Sequence, residues 1–192
     1  MSERIKNINE RILHDQWATL KSVSFDYKNA DDRWTSVKRE VFDRGDGASV
    51  LLYNNNKKTV ILVRQFRLPA FLNGDSGFLL ETCAGMIEGQ TPEKTVMREV
   101  LEETGYVIEI LEKVADVFMS PGASTERIHL YIAPYDESQK VGAGGGLETE
   151  DEDIEVVEYA FAKALEDLSK GMIRDAKTVI LLQHLALSGI ME

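Results

Sequence analysis

The chain has 192 residues, 43% of them hydrophobic, and carries a net charge of −11 from 22 Lys plus Arg against 33 Asp plus Glu. At roughly 150 residues per domain this is one domain with something to spare, and the near-average composition excludes disorder and collagen-like structure. Such an acidic chain is expected to bind neither nucleic acid nor an anionic membrane, whose phosphates it would repel, whereas clustered carboxylates could hold cations. The single cysteine, Cys83, excludes an internal disulfide and a four-cysteine zinc site, and is expected to be a small buried apolar residue. No signal-type apolar core opens the sequence and no run approaches a membrane span, so the expected location is cytoplasmic.

In chain order, residues 1 to about 44 read as polar strands, with alternation over 18–27 and 36–42 and a turn cluster at 29–32. A small sheet of this kind is marginal alone and should dock on the rest of the chain or on a second subunit. Residues 48–53 and 59–66 are β-rich runs joined by Asn and Lys at 54–58, a hairpin signal. A short strand is expected over 78–83. The pattern then changes to a helix over 91–104, with Thr91 as N-cap, Pro92 at the first helical position and Gly105 as the stop. Strands are expected at 113–118, 128–133 and 154–159. Residues 136–153 read as one long Gly- and acid-rich loop, and helices over 161–170 and 177–187 close the chain. This order predicts an α+β fold with a mixed-sheet sandwich.

The helix over 91–104 carries the most informative residues. At 100° per residue Glu99, Glu102 and Glu103 share one face, while Val96, Met97, Val100 and Leu101 form another that can pack on a sheet. Like charges at i and i+4 mildly destabilise an isolated helix but become favourable beside a cation, and hard ions such as Mg²⁺ prefer carboxylate oxygens. On charge pattern alone the stripe is a solvated face. The Gly-containing loop at 84–90 changes that reading, because it would deliver backbone carbonyls beside the stripe.

This segment resembles the Nudix box. Gly85 matches its opening glycine, and Arg98, Glu99, Val100, Glu102, Glu103, Gly105 and Tyr106 match its tail in order. One departure is clear: the spacing from Gly85 to Arg98 is one residue short, and the first glutamate of the box falls on Gln90 or Thr91. That glutamate usually braces the box arginine, a role for which Glu88 and Glu93 are candidates. Beyond the box, the segments 38–40, 64–67, 81–85, 120–122, 144–146, 150–154 and 173–177, with Glu126, resemble the GDP-mannose pyrophosphatase branch of the ADP-ribose-pyrophosphatase-like Nudix hydrolases. The resemblance implies a Nudix α/β/α sandwich over 44–192. It also implies an N-terminal antiparallel β extension over 1–43 that serves a homodimer. The implied reaction is Mg²⁺-dependent hydrolysis of GDP-mannose to GMP and mannose 1-phosphate, with Mn²⁺ as an alternative ion.

The same resemblance assigns roles. The Ala84 carbonyl, Glu99 and Glu103 would ligate metal, and Glu102 would hold a metal-bound water or a second ion. Glu152, in the acidic run after the glycines, would be ligand or general base, with Asp151 beside the substrate and Glu150 a further candidate base. Substrate contacts are implied at Trp17, Lys38, Arg39, Glu40, Arg67, Ala84, Gly85, Met86, Glu103, Glu126, Glu152 and Lys177. Arginine forks match phosphate oxygens, which suits Arg67 and Arg39, although any single surface arginine is more often without function. Trp17 is nearly as readily an ordinary half-buried strand aromatic. The glycines at 144–146 lack a following Gly-Lys-Ser/Thr and read as a hinge rather than a phosphate loop. His14, His129 and His184 lack metal-ligand spacing, and no Ser or Cys is paired with His, so covalent catalysis has no support. Two other readings stay open: ADP-ribose as the substrate, and a non-catalytic Nudix-type nucleotide-sugar-binding protein.

Overall fold

The computed structural model describes residues 3–147, 149 and 152–192. The Glu150 and Asp151 assignments therefore lie outside the described residues. The chain divides into two compact units, the first running to Asp46 and also taking in Phe118–Arg127, a segment that the sequence places in 44–192.

The first unit is an antiparallel sheet of β1 (Ile5–Asp15), β2 (Thr19–Lys28) and β3 (Trp34–Asp43), in that order. The turn at 29–32 forms because Asn29 Oδ1 accepts from the Asp31 and Arg33 amides while Asp32 takes a left-handed φ of 61°. The segment after Phe118 is tied to β3 by the Phe42 N–H to Ala123 O and Thr125 N–H to Phe42 O bonds. Trp17 is not a strand residue: it lies in the connection between β1 and β2 and is 78% exposed.

The described residues of the second unit form a mixed sheet. Its strands are β4 (Gly47–Asn54), β5 (Thr59–Phe66), β6 (Phe78–Glu81), β7 (Cys83–Met86), β8 (Glu112–Phe118), β9 (Arg127–Pro134) and β10 (Glu155–Ala160). The order is β10-β5-β4-β9-β8, with β6 on β5 and β7 on β4; β4 runs parallel to β9 and antiparallel to β5 and β7. The expected hairpin is there. Asn54 Oδ1 accepts from the Asn56 and Lys57 amides, and Lys58 has φ 55°, which turns the chain from β4 into β5. The expected single strand over 78–83 is instead two. At Thr82 the chain changes partner, Glu81 registering with Val63 and Cys83 with Val50, and the Thr82 amide donates to Thr178 Oγ1 at 2.8 Å.

Residues 48–52 of β4 are buried on both faces, as a central strand requires. Ala48, Val50 and Leu52 join Val96, Val100 and Tyr106 in one core, and Leu51 points the other way by the period-two rule. Helices α1 (Leu68–Leu72), α2 (Pro92–Glu99), α3 (Phe161–Ser169) and α4 (Ala176–Leu187) complete the unit. Leu181, Leu182 and Leu185 of α4 are buried outside the first core, and α2 and α4 both pack on β4, which gives helices on both faces of the sheet. Each such fully buried leucine contributes about 1.5–3 kcal/mol. Helix α1 carries no sequence signal strong enough for its five residues. Among the described residues no helix is long and apolar enough to cross a membrane.

The helix over 91–104 departs from expectation in a way that matters for the site. Its start is as read: Thr91 Oγ1 accepts from the Lys94 amide and Pro92 opens α2. However, the α-helix ends at Glu99 and the next five residues, Val100–Thr104, form a π turn closed by Gly105 at φ 74°. The broader turn changes the angular step, so the regular wheel fails there. Val96 and Val100 are buried, but Met97 (37%) and Leu101 (44%) are exposed and not part of the packing face.

Candidate active site

The end of α2 and the π turn each bury one carboxylate. Glu103 is 1% exposed and Glu99 is also buried. Glu103 Oε2 accepts from the Ala84 amide of β7 at 3.2 Å. Burial raises the Glu103 pKa to about 8; a hydrogen bond from the Cys83 thiol opposes this, the Glu99 and Glu152 charges add to it, and the Ala84 amide opposes it. Cys83 is buried as expected, yet it is more than a packing residue, because its thiol touches the Glu103 carboxylate. Burial, followed by the charges of Glu103, Glu99 and Glu152, raises the thiol's pKa, so it stays protonated.

Gly85 supports Glu99 by having no side chain. A Cβ built there would lie 1.8 Å from Glu99 Oε1. Arg98 donates to Glu99 Oε1 and Glu102 Oε2, each at 2.6 Å, so the box arginine is braced by its own helix. Glu93, weighed as that brace, accepts instead from the Tyr131 hydroxyl at 2.8 Å, and Glu88 is exposed. Ala84, Gly85 and Met86 run antiparallel to β4, registering with Ser49, Ala48 and Gly47.

The glycines at 144–146 are hydrogen-bonded to the π turn. The Gly145 amide donates to Glu103 O at 2.9 Å and Gly146 to Glu102 O at 3.1 Å, while Val141 donates to Gly105 O at 2.8 Å. They cap the carbonyl end of the π turn, in successive positive-φ conformations at 74°, 113° and 82° that suit glycine. The long loop also contains a 3₁₀ turn at Glu137–Gln139, held by an Asp136 and Gln139 capping box. Glu152 lies beside this cap, its Oε2 accepting from the Leu147 amide at 3.1 Å.

Two expected substrate cations converge nearby. Arg67 forks onto Glu81 with Nε at 2.7 Å and Nη2 at 3.0 Å, and Lys177 donates to Glu81 at 3.2 Å and to Asp175 at 2.6 Å. Burial works against the Arg67 charge, but Glu81, with Glu103 and Asp175 behind it, holds its pKa above the usual value. Glu81, Asp175 and the Cys83 thiol were not singled out from the sequence as site groups; a buried carboxylate gives no local signal of its burial.

The remaining expected residues belong to the first unit. Lys38, Arg39 and Glu40 are exposed on β3. Trp17 carries the Arg44 guanidinium 5.5 Å from its ring centroid, and Arg44 Nε meets Glu126 Oε1 at 2.7 Å.

The donors suit a hard divalent cation. Glu99, Glu103 and Glu152 carry oxygen donors, and the charges of Glu99 and Glu152 help to raise the Glu103 pKa, so a cation among them would relieve that repulsion. Among the described residues no three His, Cys, Asp or Glu side chains already converge on one cation position.

The NUDIX domain model matches residues 43–181. The chain belongs to the Nudix family of hydrolases. A second model, the GDP-mannose pyrophosphatase NudK N-terminal domain, matches residues 4–42. The chain is 48% identical to the GDP-mannose pyrophosphatase of Cronobacter sakazakii over 193 aligned positions, covering 100% of both chains. It is 47% identical, with the same coverage, to proteins of that name from Escherichia coli O1:K1 / APEC and Shigella boydii serotype 4. Nudix hydrolases generally need a divalent metal, which agrees with the oxygen-rich donor set around the π turn.

Proposed function

We propose that this Nudix hydrolase cleaves the diphosphate bond of GDP-mannose, giving GMP and mannose 1-phosphate, with Mg²⁺ as cofactor and Mn²⁺ as a substitute. The observation that carries this reading is the buried Glu103, within electrostatic reach of Glu99, Glu152 and Arg67. The full-length likeness to proteins named GDP-mannose pyrophosphatase supports the substrate. Incubation with a panel of nucleoside diphosphate sugars and ADP-ribose, with and without Mg²⁺ and with products identified, tests it. GMP plus mannose 1-phosphate should dominate; preferred cleavage of ADP-ribose, or binding without products, would overturn it.

In this mechanism the Ala84 carbonyl and the carboxylates of Glu99, Glu103 and Glu152 would hold the metal. When bound, a divalent ion offsets diphosphate charge and lowers the pKa of water. Arg67 and Lys177 bind and orient the diphosphate oxygens. A water oxygen bonds to one phosphorus as the bridging P–O bond breaks, and Glu152 takes the water's proton on Oε1, the oxygen not engaged by the Leu147 amide. Glu102, tied to Arg98, keeps the box arginine against Glu99. Trp17, Lys38, Arg39, Glu40, Met86, Glu126 and Asp151 are further proposed substrate contacts.

Glu152→Gln should lower kcat with little change in KM, the pattern of an interaction made in the transition state. Steady-state kinetics beside Glu150→Gln and Asp151→Asn check this; unchanged kcat in all three would move the base to Glu102.

The chain is further proposed to act as a cytoplasmic homodimer through its N-terminal sheet. That sheet leaves Ile8, Ile12, Leu13 and Trp34 substantially exposed, more apolar surface than a three-stranded sheet keeps in water without cost. Deleting residues 1–43 should give a monomer or an insoluble chain by light scattering. A soluble, active dimer from the shortened chain would refute the assignment.

A further inference from the structure

Glu81 ends β6 with 2% of its surface exposed. A buried carboxylate is costly unless paired, and this one is surrounded by donors. Its Oε1 takes Arg67 Nε, and its Oε2 takes both Arg67 Nη2 and Lys177 Nζ. The two cations come from remote parts of the chain: Arg67 caps the start of α1, and Lys177 lies in the first turn of α4. Lys177 is held a second time by Asp175, which itself caps α4 through the Thr178 amide and hydroxyl. That same Thr178 oxygen receives the Thr82 amide, at the break between β6 and β7. The strand carrying Cys83, Ala84 and Gly85 begins one residue beyond this junction.

We infer that Glu81 is a positioning residue for substrate binding: it fixes Arg67 and Lys177 side by side, so that both can meet one diphosphate next to Glu99 and Glu103. This rests on the reading above that Arg67 and Lys177 contact substrate. The physical reason has two parts. Two like charges repel unless an anion lies between them, and Glu81 with Asp175 supplies two negative charges against two positive ones. Long cationic side chains also lose rotamer freedom when they grip a ligand, and a pair already held loses less. Arg67 Nη1 takes no part in the fork to Glu81, and the Arg67 side chain is 41% exposed, so it keeps a donor for a phosphate oxygen. Glu81 acts through the two cations, so it governs substrate capture more than bond cleavage.

A double-mutant cycle on the full chain with Mg²⁺ and GDP-mannose tests this. Glu81→Gln should raise KM about tenfold or more, the equivalent of one lost charged hydrogen bond, with kcat within about threefold. In an Arg67→Ala/Lys177→Ala background the same change should move KM by less than about twofold, because the groups it acts through are gone. Glu81→Asp keeps the charge and should fall between wild type and Glu81→Gln; it replaces Glu81→Gln in the cycle should that variant not fold. A KM unchanged by both substitutions, or raised equally in both backgrounds, overturns the proposal and leaves Glu81 a structural tie. If Arg67→Ala/Lys177→Ala leaves KM at the wild-type value, the substrate reading of those cations is what fails, and the role of Glu81 falls with it.

Discussion

Glu103→Gln should lower kcat by about a hundredfold or more while the protein remains folded, because it removes a carboxylate proposed to hold the cation that offsets the diphosphate's charge in the transition state. Near wild-type turnover at saturating Mg²⁺ would mean that the metal site is elsewhere. The same residue sets a pH signature that needs no turnover. Its folded pKa of about 8 stands above the ordinary 4.5. Below about pH 4.5 the group is protonated in both folded and unfolded chains and carries no penalty. As pH rises toward 8 the unfolded chain releases the proton while the folded one retains it, so stability falls; above 8 the loss levels off. Metal-free protein should therefore melt at progressively lower temperature between pH 5 and 8.5. Mg²⁺ competes with that proton, so its stabilising effect should grow over the same range. Calorimetry of wild type beside Glu103→Gln checks both slopes, and the variant should lack this contribution to each.

Gly85→Ala should be the second severe change, for a different reason. Gly85 has no positive φ, so a side chain there meets no backbone strain. The obstacle is contact: the new Cβ would fall 1.8 Å from Glu99 Oε1, 2.1 Å from Cδ and 2.5 Å from Cγ. All three atoms belong to the flexible end of one side chain, which can swing away without unfolding the protein. We expect a near-normal melting temperature with a displaced Glu99. The half-saturating Mg²⁺ concentration should rise about 10–100-fold, the range for loss of a metal ligand's support. A metal titration of activity beside a thermal melt separates this from simple destabilisation, and unchanged metal dependence would contradict the assigned place of Glu99. Gly144 makes a useful contrast, because a Cβ there would meet the Glu103 and Thr104 backbone at 2.5–2.8 Å, and backbone cannot step aside as cheaply.

Much of this candidate site is legible in the sequence. The spacing of Glu99, Glu102 and Glu103, with Gly85 upstream and Gly105 downstream, identifies a local motif whose chemistry depends on residues near one another in the chain. The Thr91 cap, the 54–58 hairpin and the strand runs were readable for the same reason, since turn and cap chemistry acts over three or four residues. The wheel failed at Val100–Thr104. A π turn depends on partners for its freed carbonyls, and here those partners are the Gly145 and Gly146 amides, some forty residues later.

The sequence by itself determined the family, the α+β architecture and the identity of the carboxylate helix, because periodicity, turn residues and a contiguous motif are local quantities. Only the tertiary structure decided that Glu103 is buried against Cys83 and the Ala84 amide, that Arg98 is braced by Glu99 and Glu102, and that Glu81 joins Arg67 to Lys177. Each of these depends on burial or on pairing between distant segments. A carboxylate's pKa and partners follow from which groups the fold brings within a few ångströms and from how much water it excludes, and neither is written in the residues on either side of it.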